Sequence, residues 1–157
     1  MTTKEKLLAL LEDSKGTFFS GEEIARTLQV SRAAVWKAVS ALREDGYTID
    51  AATNKGYRLS PDSDILSPQG IRRFLKPEYR DLDLTVLPTA PSTNALVREK
   101  ANQGRPEGCI IIACEQTAGR GRYGRQFFSP VDSGVYLSLL LRPTAYSPQQ
   151  ATCLTAA

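Results

Sequence analysis

Three residues, Gln29-Val30-Ser31, are all that separate two stretches of helical periodicity, and this break constrains the fold more than any other feature of the chain. A break so short makes a tight turn. Upstream, Leu7, Leu8, Leu10 and Leu11 form a helical stripe that runs to about Asp13, with Gly16 as its stop. Ser20-Gly21-Glu22-Glu23 has the spacing of a capping box, in which Ser20 accepts the N3 amide and Glu23 reaches back to the N-cap amide. A short helix with Ile24, Ala25 and Leu28 inward should follow. Past the break, Ser31 can cap a third helix whose Val35, Val39 and Leu42 recur at i, i+4 and i+7, and Gly46 ends it. Tyr47 to Asp50 and Gly56 to Leu59 then flank Asn54-Lys55-Gly56, the pattern of a two-stranded ribbon closed by a turn.

Helix, helix, tight turn, helix, ribbon is the order of a winged helix-turn-helix. A major groove about 12 Å wide accepts one helix, provided that its opposite face is anchored in a core. The outward positions expected to meet DNA are Ser31, Arg32, Lys37, Ser40 and Arg43, with Lys55 at the ribbon tip. Trp36, beside Val35, reads as a packing residue. Charge does not decide between DNA contact and a plain solvated helix face: residues 1–60 carry 9 basic and 8 acidic side chains. One such head should bind weakly, and a dimer on two half-sites is expected.

Ser60-Pro61-Asp62-Ser63-Asp64 is short, polar and proline-bearing. It places a DNA-binding domain at 1–60, a linker at 61–66 and a second domain at 67–157. In that second part Ser67-Pro68 opens a helix carrying Ile71, Phe74 and Leu75, and Leu84 to Leu87 is a strand. Pro88 to Pro91 reads as a loop, and Thr93 to Gln103 as a helix closed by Gly104. Cys109-Ile-Ile-Ile-Ala-Cys114 is apolar without interruption, as a strand buried on both faces must be, and Gly134 to Leu141 is a further strand. Ser147-Pro148 opens a last helix.

Of 157 residues, 20 are Lys or Arg and 17 Asp or Glu, a formal charge of +3, and 41% are hydrophobic. Such a chain can bury a core, which excludes disorder and fibres. No apolar run approaches the roughly 20 residues of a membrane span, and no signal-peptide pattern opens the chain, so a cytoplasmic protein is expected. There is no histidine, and Cys109, Cys114 and Cys153 lack metal spacing. Ser-His and Cys-His nucleophiles, imidazole bases and His-built zinc sites are thereby excluded, and no protein-held metal is expected.

Between the two strong strands lies Glu115-Gln-Thr-Ala-Gly-Arg-Gly-Arg-Tyr-Gly-Arg-Gln-Phe-Phe-Ser-Pro130. Gly119, Gly121 and Gly124 let the backbone approach a ligand, while Arg120, Arg122 and Arg125 offer forks matched to carboxylate or phosphate oxygens. The loop calls for an anion. Gly119, Gly121 and Gly124 formally satisfy the dinucleotide fingerprint, but Phe127-Phe128-Ser129-Pro130 follows where a helix should open, and a Walker Gly-Lys-Ser/Thr occurs nowhere. Three arginines without nearby acids repel one another, so this loop should be disordered until a ligand is bound. Ser92-Thr93-Asn94 starts a helix with small polar side chains beside its unpaired amides.

Taken together, the winged head, Ser92-Thr93-Asn94, Gln116 and Gly-Arg-Gly-Arg-Tyr-Gly-Arg with its Phe-Phe-Ser-Pro tail resemble the biotin protein ligases, in the bifunctional subgroup that also represses the biotin operon. The resemblance implies an α+β chain: a winged helix-turn-helix followed by part of a mixed α/β ligase domain of the biotin/lipoate ligase type. It implies that Ser92, Thr93, Asn94, Gln116, Arg120, Gly121, Arg122 and Phe127 line the site for biotin and its adenylate, with Phe127 standing where many members have tryptophan. Arg120, Arg122 and Arg125 would carry catalysis. The implied reaction takes biotin and ATP, with Mg2+ carried by the nucleotide, to biotinyl-5'-AMP, and then passes the acyl group to a lysine of a biotin carboxyl carrier protein. Operator DNA and a ligand-promoted homodimer complete the implied partners.

Members of that family continue past this point through a segment with the lysine that meets the reacting groups, so the chain reads as an N-terminal portion, inactive alone. Two other readings fit the residues: a winged-helix regulator whose second domain only senses a small anion, and a nucleic-acid binder that uses the arginine loop as a patch.

Overall fold

Thr2 opens α1 (Thr3–Asp13): its hydroxyl accepts from the Glu5 N–H at 3.2 Å, and the Glu5 carboxylate accepts from the Thr2 N–H at 2.8 Å. The capping box expected at Ser20 is half formed, since Ser20 Oγ accepts from the Glu23 N–H at 3.1 Å. Among the described residues the reciprocal pair is complete only at Thr2 and Glu5. The computed structural model describes residues 1–121, 123, 125–131 and 133–143. Contacts divide the chain after Arg80, into units Met1–Arg80 and Asp81–Ala157.

In the first unit α2 (Gly21–Leu28) ends on Gln29, held left-handed at φ 55°, with the Val30 N–H returned to the Ala25 carbonyl at 2.9 Å. Ser31 caps α3 (Arg32–Glu44), accepting from the Ala34 N–H at 3.2 Å. The three-residue break is therefore a C-cap and an N-cap with Val30 alone between them. Strands β1 (Ile49–Ala52) and β2 (Gly56–Leu59) pair antiparallel, Ile49 opposite Leu59 and Ala52 opposite Gly56. Leu7, Leu11, Ile24, Val35, Val39, Leu42 and Leu59 are each at most 1% exposed and form the core. Each contributes about 1.5 to 3 kcal/mol by leaving water.

One residue widens the ribbon unannounced by any strand pattern. Phe19 exchanges both backbone hydrogen bonds with Tyr57, each 2.9 Å, so the chain between α1 and α2 pairs with β2. Trp36 corrects the reading above: it is 62% exposed and not a packing residue, because it lies on the arc of α3 away from Val35, Val39 and Leu42.

The segment after the ribbon also differs from expectation. Ser67 caps a short α4 (Pro68–Arg72), accepting from the Gly70 N–H at 2.9 Å, while its own hydroxyl donates to the Glu12 carboxylate at 3.2 Å. Glu12 and Ser67 are 5% and 1% exposed. Residues 67–72, expected to begin the second domain, thus pack on α1. Phe74, expected on the inner face of that helix, lies beyond its end, 81% exposed with the Arg73 guanidinium 5.0 Å from its ring centre. A 3-10 turn follows at Pro77–Tyr79.

In the second unit β3 (Leu84–Ala90), α5 (Thr93–Asn102) and β4 (Ile110–Gln116) form a parallel strand–helix–strand unit, and β5 (Tyr136–Leu139) pairs antiparallel to β4. The order β3-β4-β5 puts the apolar run of Ile110 to Ala113 in the middle. Val97 of α5 packs with Cys109, Ile111 and Leu140. Burial, with Asp83 nearby, pushes the Cys109 thiol above its ordinary value and keeps it protonated at neutral pH. The expected loop at Pro88 is strand: β3 is an edge among the described strands, where a proline forfeits no ladder bond. On β5 and its flanks Val135, Leu137, Leu139 and Leu141 point out of the unit, 43% to 57% exposed. The helix expected from Ser147 and Cys153 lie outside the described residues. No helix among the described residues is long and apolar enough to cross a membrane.

Candidate functional site

The parallel strands β3 and β4 both end at the start of α5, the kind of carboxyl-end crevice where open α/β sheets take ligands. Ser92 is the N-cap of α5, its hydroxyl 3.5 Å from the Ala95 N–H, and both Ser92 (7% exposed) and Thr93 (3%) are buried. Asn94, beside them, is exposed. Gln116, the last residue of β4, ties this corner together. Its carbonyl accepts from the Thr93 N–H at 2.8 Å and from Thr93 Oγ1 at 3.2 Å, and its amide nitrogen donates to Ser129 Oγ at 3.3 Å. Thr93 Oγ1 lies 2.9 Å from Ser138 Oγ of β5, so two strands and a helix meet at one hydroxyl.

Ser129 carries this corner no less than Gln116, although the sequence marked it only as part of the Phe-Phe-Ser-Pro tail. It is 3% exposed, accepts from Gln116 and donates to the Phe127 carbonyl at 3.2 Å. Its backbone carbonyl accepts the Gln116 N–H at 3.0 Å. Gly119 belongs to the same knot: a Cβ there would come within 2.6 Å of the Phe127 carbonyl and 2.8 Å of Ser129 Oγ, so only glycine fits. The loop between closes on itself through an Arg120–Gln126 bridge and a 2.7 Å bond from the Gly121 N–H to the Arg125 carbonyl. Arg120 and Arg125 are exposed, while Arg122 and Gly124 lie outside the described residues.

A cleft of about 360 Å3 opens along this loop, lined by Glu115, Gln116, Thr117, Gln126, Phe127, Phe128, Ser129 and Pro130. Of the residues named from sequence, Gln116 and Phe127 line it, with Thr93 behind Gln116; Ser92 is held at the helix start, and Arg120 and Gly121 stand at the base of the closed loop. The Phe127 ring meets Tyr136 edge to face, centroids 6.4 Å apart, which fixes one aromatic wall. No three His, Cys, Asp or Glu side chains among the described residues converge to hold a metal ion. Chemically the corner offers an oriented amide, small hydroxyls, an aromatic wall and nearby guanidinium groups, a set suited to polar and anionic groups.

On the first unit the named DNA contacts divide. Arg32 and Lys37 are exposed on α3, without an ion-pair partner among the described residues. Ser40 is half-buried, and Ser31 uses its hydroxyl as the helix cap. Arg43 is engaged elsewhere: its Nε and a terminal nitrogen donate to the Ile49 carbonyl at 3.0 and 2.6 Å, fastening α3 to the ribbon. Lys55 is exposed at the tip, 6.0 Å from the Phe18 ring centre, and the Arg58 guanidinium stacks on that ring at 4.7 Å while pairing with Asp50 at 2.8 Å.

Residues 3–58 match an HTH domain, and residues 86–157 match the Biotin/lipoate A/B protein ligase family. The bifunctional ligase/repressor BirA of Bacillus subtilis (strain 168) is 40% identical over 142 residues, 90% of this chain and 44% of the relative. That of Escherichia coli (strain K12) is 37% identical over 141 residues, 90% of this chain and 42% of the relative. That of Salmonella typhimurium is 36% identical over 136 residues. The chain thus spans less than half the length of the relatives it matches. An HTH domain ahead of a biotin/lipoate ligase segment, with this identity along nine-tenths of its length, makes the chain similar to the first part of bifunctional ligase/repressors.

Proposed function

We propose that the second unit binds biotin and biotinyl-5'-AMP, as part of a protein that ligates biotin to a carboxyl carrier protein, and that the first unit binds operator DNA. The observation that carries the ligand reading is Gln116, whose amide is held in one orientation between Thr93 and Ser129 at the edge of an aromatic-walled cleft beside the arginine loop. A fixed amide with buried hydroxyls suits the ureido ring of biotin. Arg120, Arg122 and Arg125 suit its carboxylate and the phosphates.

In the proposed first step a biotin carboxylate oxygen attacks the α-phosphorus of ATP, the bond to pyrophosphate breaks, and the mixed anhydride forms. Like charges must meet, and the guanidinium groups offset that repulsion as charge moves to the leaving pyrophosphate. Each charge-assisted contact is worth about 1.5 to 3 kcal/mol. In the second step a lysine amine of the carrier attacks the acyl carbon, AMP leaves, and the amide forms with loss of a proton. Mg2+ would arrive with the nucleotide. The relatives' description as ligase/repressors supports both halves of the reading, and a ligand-promoted homodimer would set two heads on two half-sites. A cytoplasmic location is part of the same proposal.

Calorimetry of this chain with a stable biotinyl-5'-AMP analogue is the test, with trypsin digestion of 120–125 alongside. Heat of binding and protection of the loop are expected. Titration without heat, with cleavage unchanged by the analogue, rejects the reading.

A further inference from the structure

Trp36 is the only tryptophan of the chain, and it stands 62% exposed on α3. Burying an indole side chain is among the larger single gains available to a fold, yet this one is left in water while Val35, next to it, is 1% exposed. Its neighbours on the helix surface explain what could cover it. Arg32 precedes it by one helical turn and Ser40 follows by one, while Lys37 lies a further step around the exposed face and Ala33 fills the gap between. The exposed face of α3 therefore has cations toward its borders and an apolar strip, Ala33 with Trp36, between them. A protein partner with a plain apolar patch would not call for the cations; a phosphate-lined groove calls for both. In such a groove cations at the borders would meet the phosphates of the two strands, and the strip would meet the base edges.

In a major groove the C5-methyl of thymine is the one apolar group that projects from a base edge, among hydrogen-bond donors and acceptors. We infer that Trp36, with Ala33, reads thymine methyl groups in duplex DNA and so sets part of the sequence preference of this head. The inference rests on the reading of the first unit as DNA-binding and adds which side chain selects the base and which base it selects. Arg32 and Lys37 then set affinity for any sequence, while Trp36 sets the difference between sequences.

The test uses the full chain with a biotinyl-5'-AMP analogue present. Duplexes are selected from a randomised pool at low salt, and the selected duplex is then remade with deoxyuridine at each thymidine in turn, which removes only the methyl. The expected result is that one or two of these replacements weaken the native chain about five-fold. Trp36→Ala should be insensitive to the same replacements, Trp36→Phe should stay sensitive, and the indole emission of Trp36 should change when the selected duplex binds. Equal sensitivity in the native chain and Trp36→Ala overturns the inference, as does insensitivity of both. Selection of the same duplex at the same affinity by Trp36→Ala, together with a change of that variant from dimer to monomer in sedimentation, assigns the ring to a second copy of the chain and also overturns it. Retention of no duplex at all defeats the DNA reading and this inference together, and so is distinguishable from the other failures.

Discussion

The side-chain carbonyl of Gln116 accepts the backbone N–H of Thr93 at 2.8 Å, so the last residue of a central strand satisfies the first amide of the helix that precedes it in the chain. Helix-start amides have no partner inside the helix, and this one sits on a residue only 3% exposed. Gln116→Ala is expected to lose about 1 to 3 kcal/mol in urea denaturation, the cost of a buried donor without an acceptor. Gln116→Glu should recover much of that, because a carboxylate oxygen still accepts from Thr93. It should nevertheless bind the biotinyl-5'-AMP analogue more weakly, since it no longer donates to Ser129. Equal stability of Gln116→Ala and the native chain would show that the bond has no structural weight.

Gly56 has φ +94°, and a Cβ built on it would lie 2.0 Å from the Phe19 carbonyl. That carbonyl is one half of the Phe19–Tyr57 pairing. Gly56→Ala must therefore break the pairing or bend the ribbon, at a cost of about 3 kcal/mol. Thermal unfolding should register it, and retention of the native melting temperature would contradict this account of the ribbon.

Arg142 closes the other end of α5. Its guanidinium donates to the Ala101 carbonyl at 2.9 Å and to the Arg105 carbonyl at 2.9 and 3.0 Å. The site is exposed, so Arg142→Ala should cost about 1 kcal/mol and no more. Arg142→Lys should not restore it, because an ammonium cannot fork across two carbonyls as a planar guanidinium does. Full rescue by lysine would mean that charge alone matters here.

Burial raises the pKa of Tyr47 above its ordinary 10.0; a hydrogen bond with Ser67 opposes the rise, and the nearby Glu12 and Asp45 carboxylates add to it. A raised folded-state pKa means that the unfolded chain releases its proton first. This contribution is therefore constant below pH 10.0 and falls as pH rises from there toward the folded-state value. The fall approaches about 1.4 kcal/mol per pH unit for one group. Tyr47→Phe should flatten that alkaline limb relative to the native chain. Parallel limbs in urea titrations across this range would count against it.

Arg32→Ala and Lys37→Ala should each weaken duplex binding across all sequences and lower the salt slope by about one. Neither should alter capture of the biotinyl-5'-AMP analogue, and Arg120→Ala should do the reverse. Calorimetry with the analogue and filter binding with duplex DNA separate the two effects. Loss of both activities in any one of these variants would speak against independent sites.

Much of the fold is legible in residues that act locally. Ser31 and Ser67 cap helices where the sequence places them, and the apolar run after Cys109 is the middle strand because only a middle strand is buried on both faces. Failures occur where a distant partner decides. Trp36 is a different case: it adjoins a core valine, but the i, i+4, i+7 spacing of Val35, Val39 and Leu42 already turns it outward. Pro88 looks like a breaker until β3 is known to lie at an edge, and Phe19 pairs with a strand nearly forty residues on. Arg43 has the sequence of a DNA contact, but the Ile49 carbonyl lies within its reach. At the site, Gln116 and Thr93 were named through resemblance, whereas the role of Ser129 required the structure, because the two hydrogen bonds of its hydroxyl go to residues on either side of a loop.

The bare leucines on the outer strand bear on handling. Val135, Leu137, Leu139 and Leu141 present a greasy row on a strand that has no outer neighbour among the described residues, the combination from which ordered clumping starts. Concentrated stocks of this polypeptide should turn cloudy sooner than its charge of +3 alone would suggest, and a lysine placed at Leu137 should keep them clear.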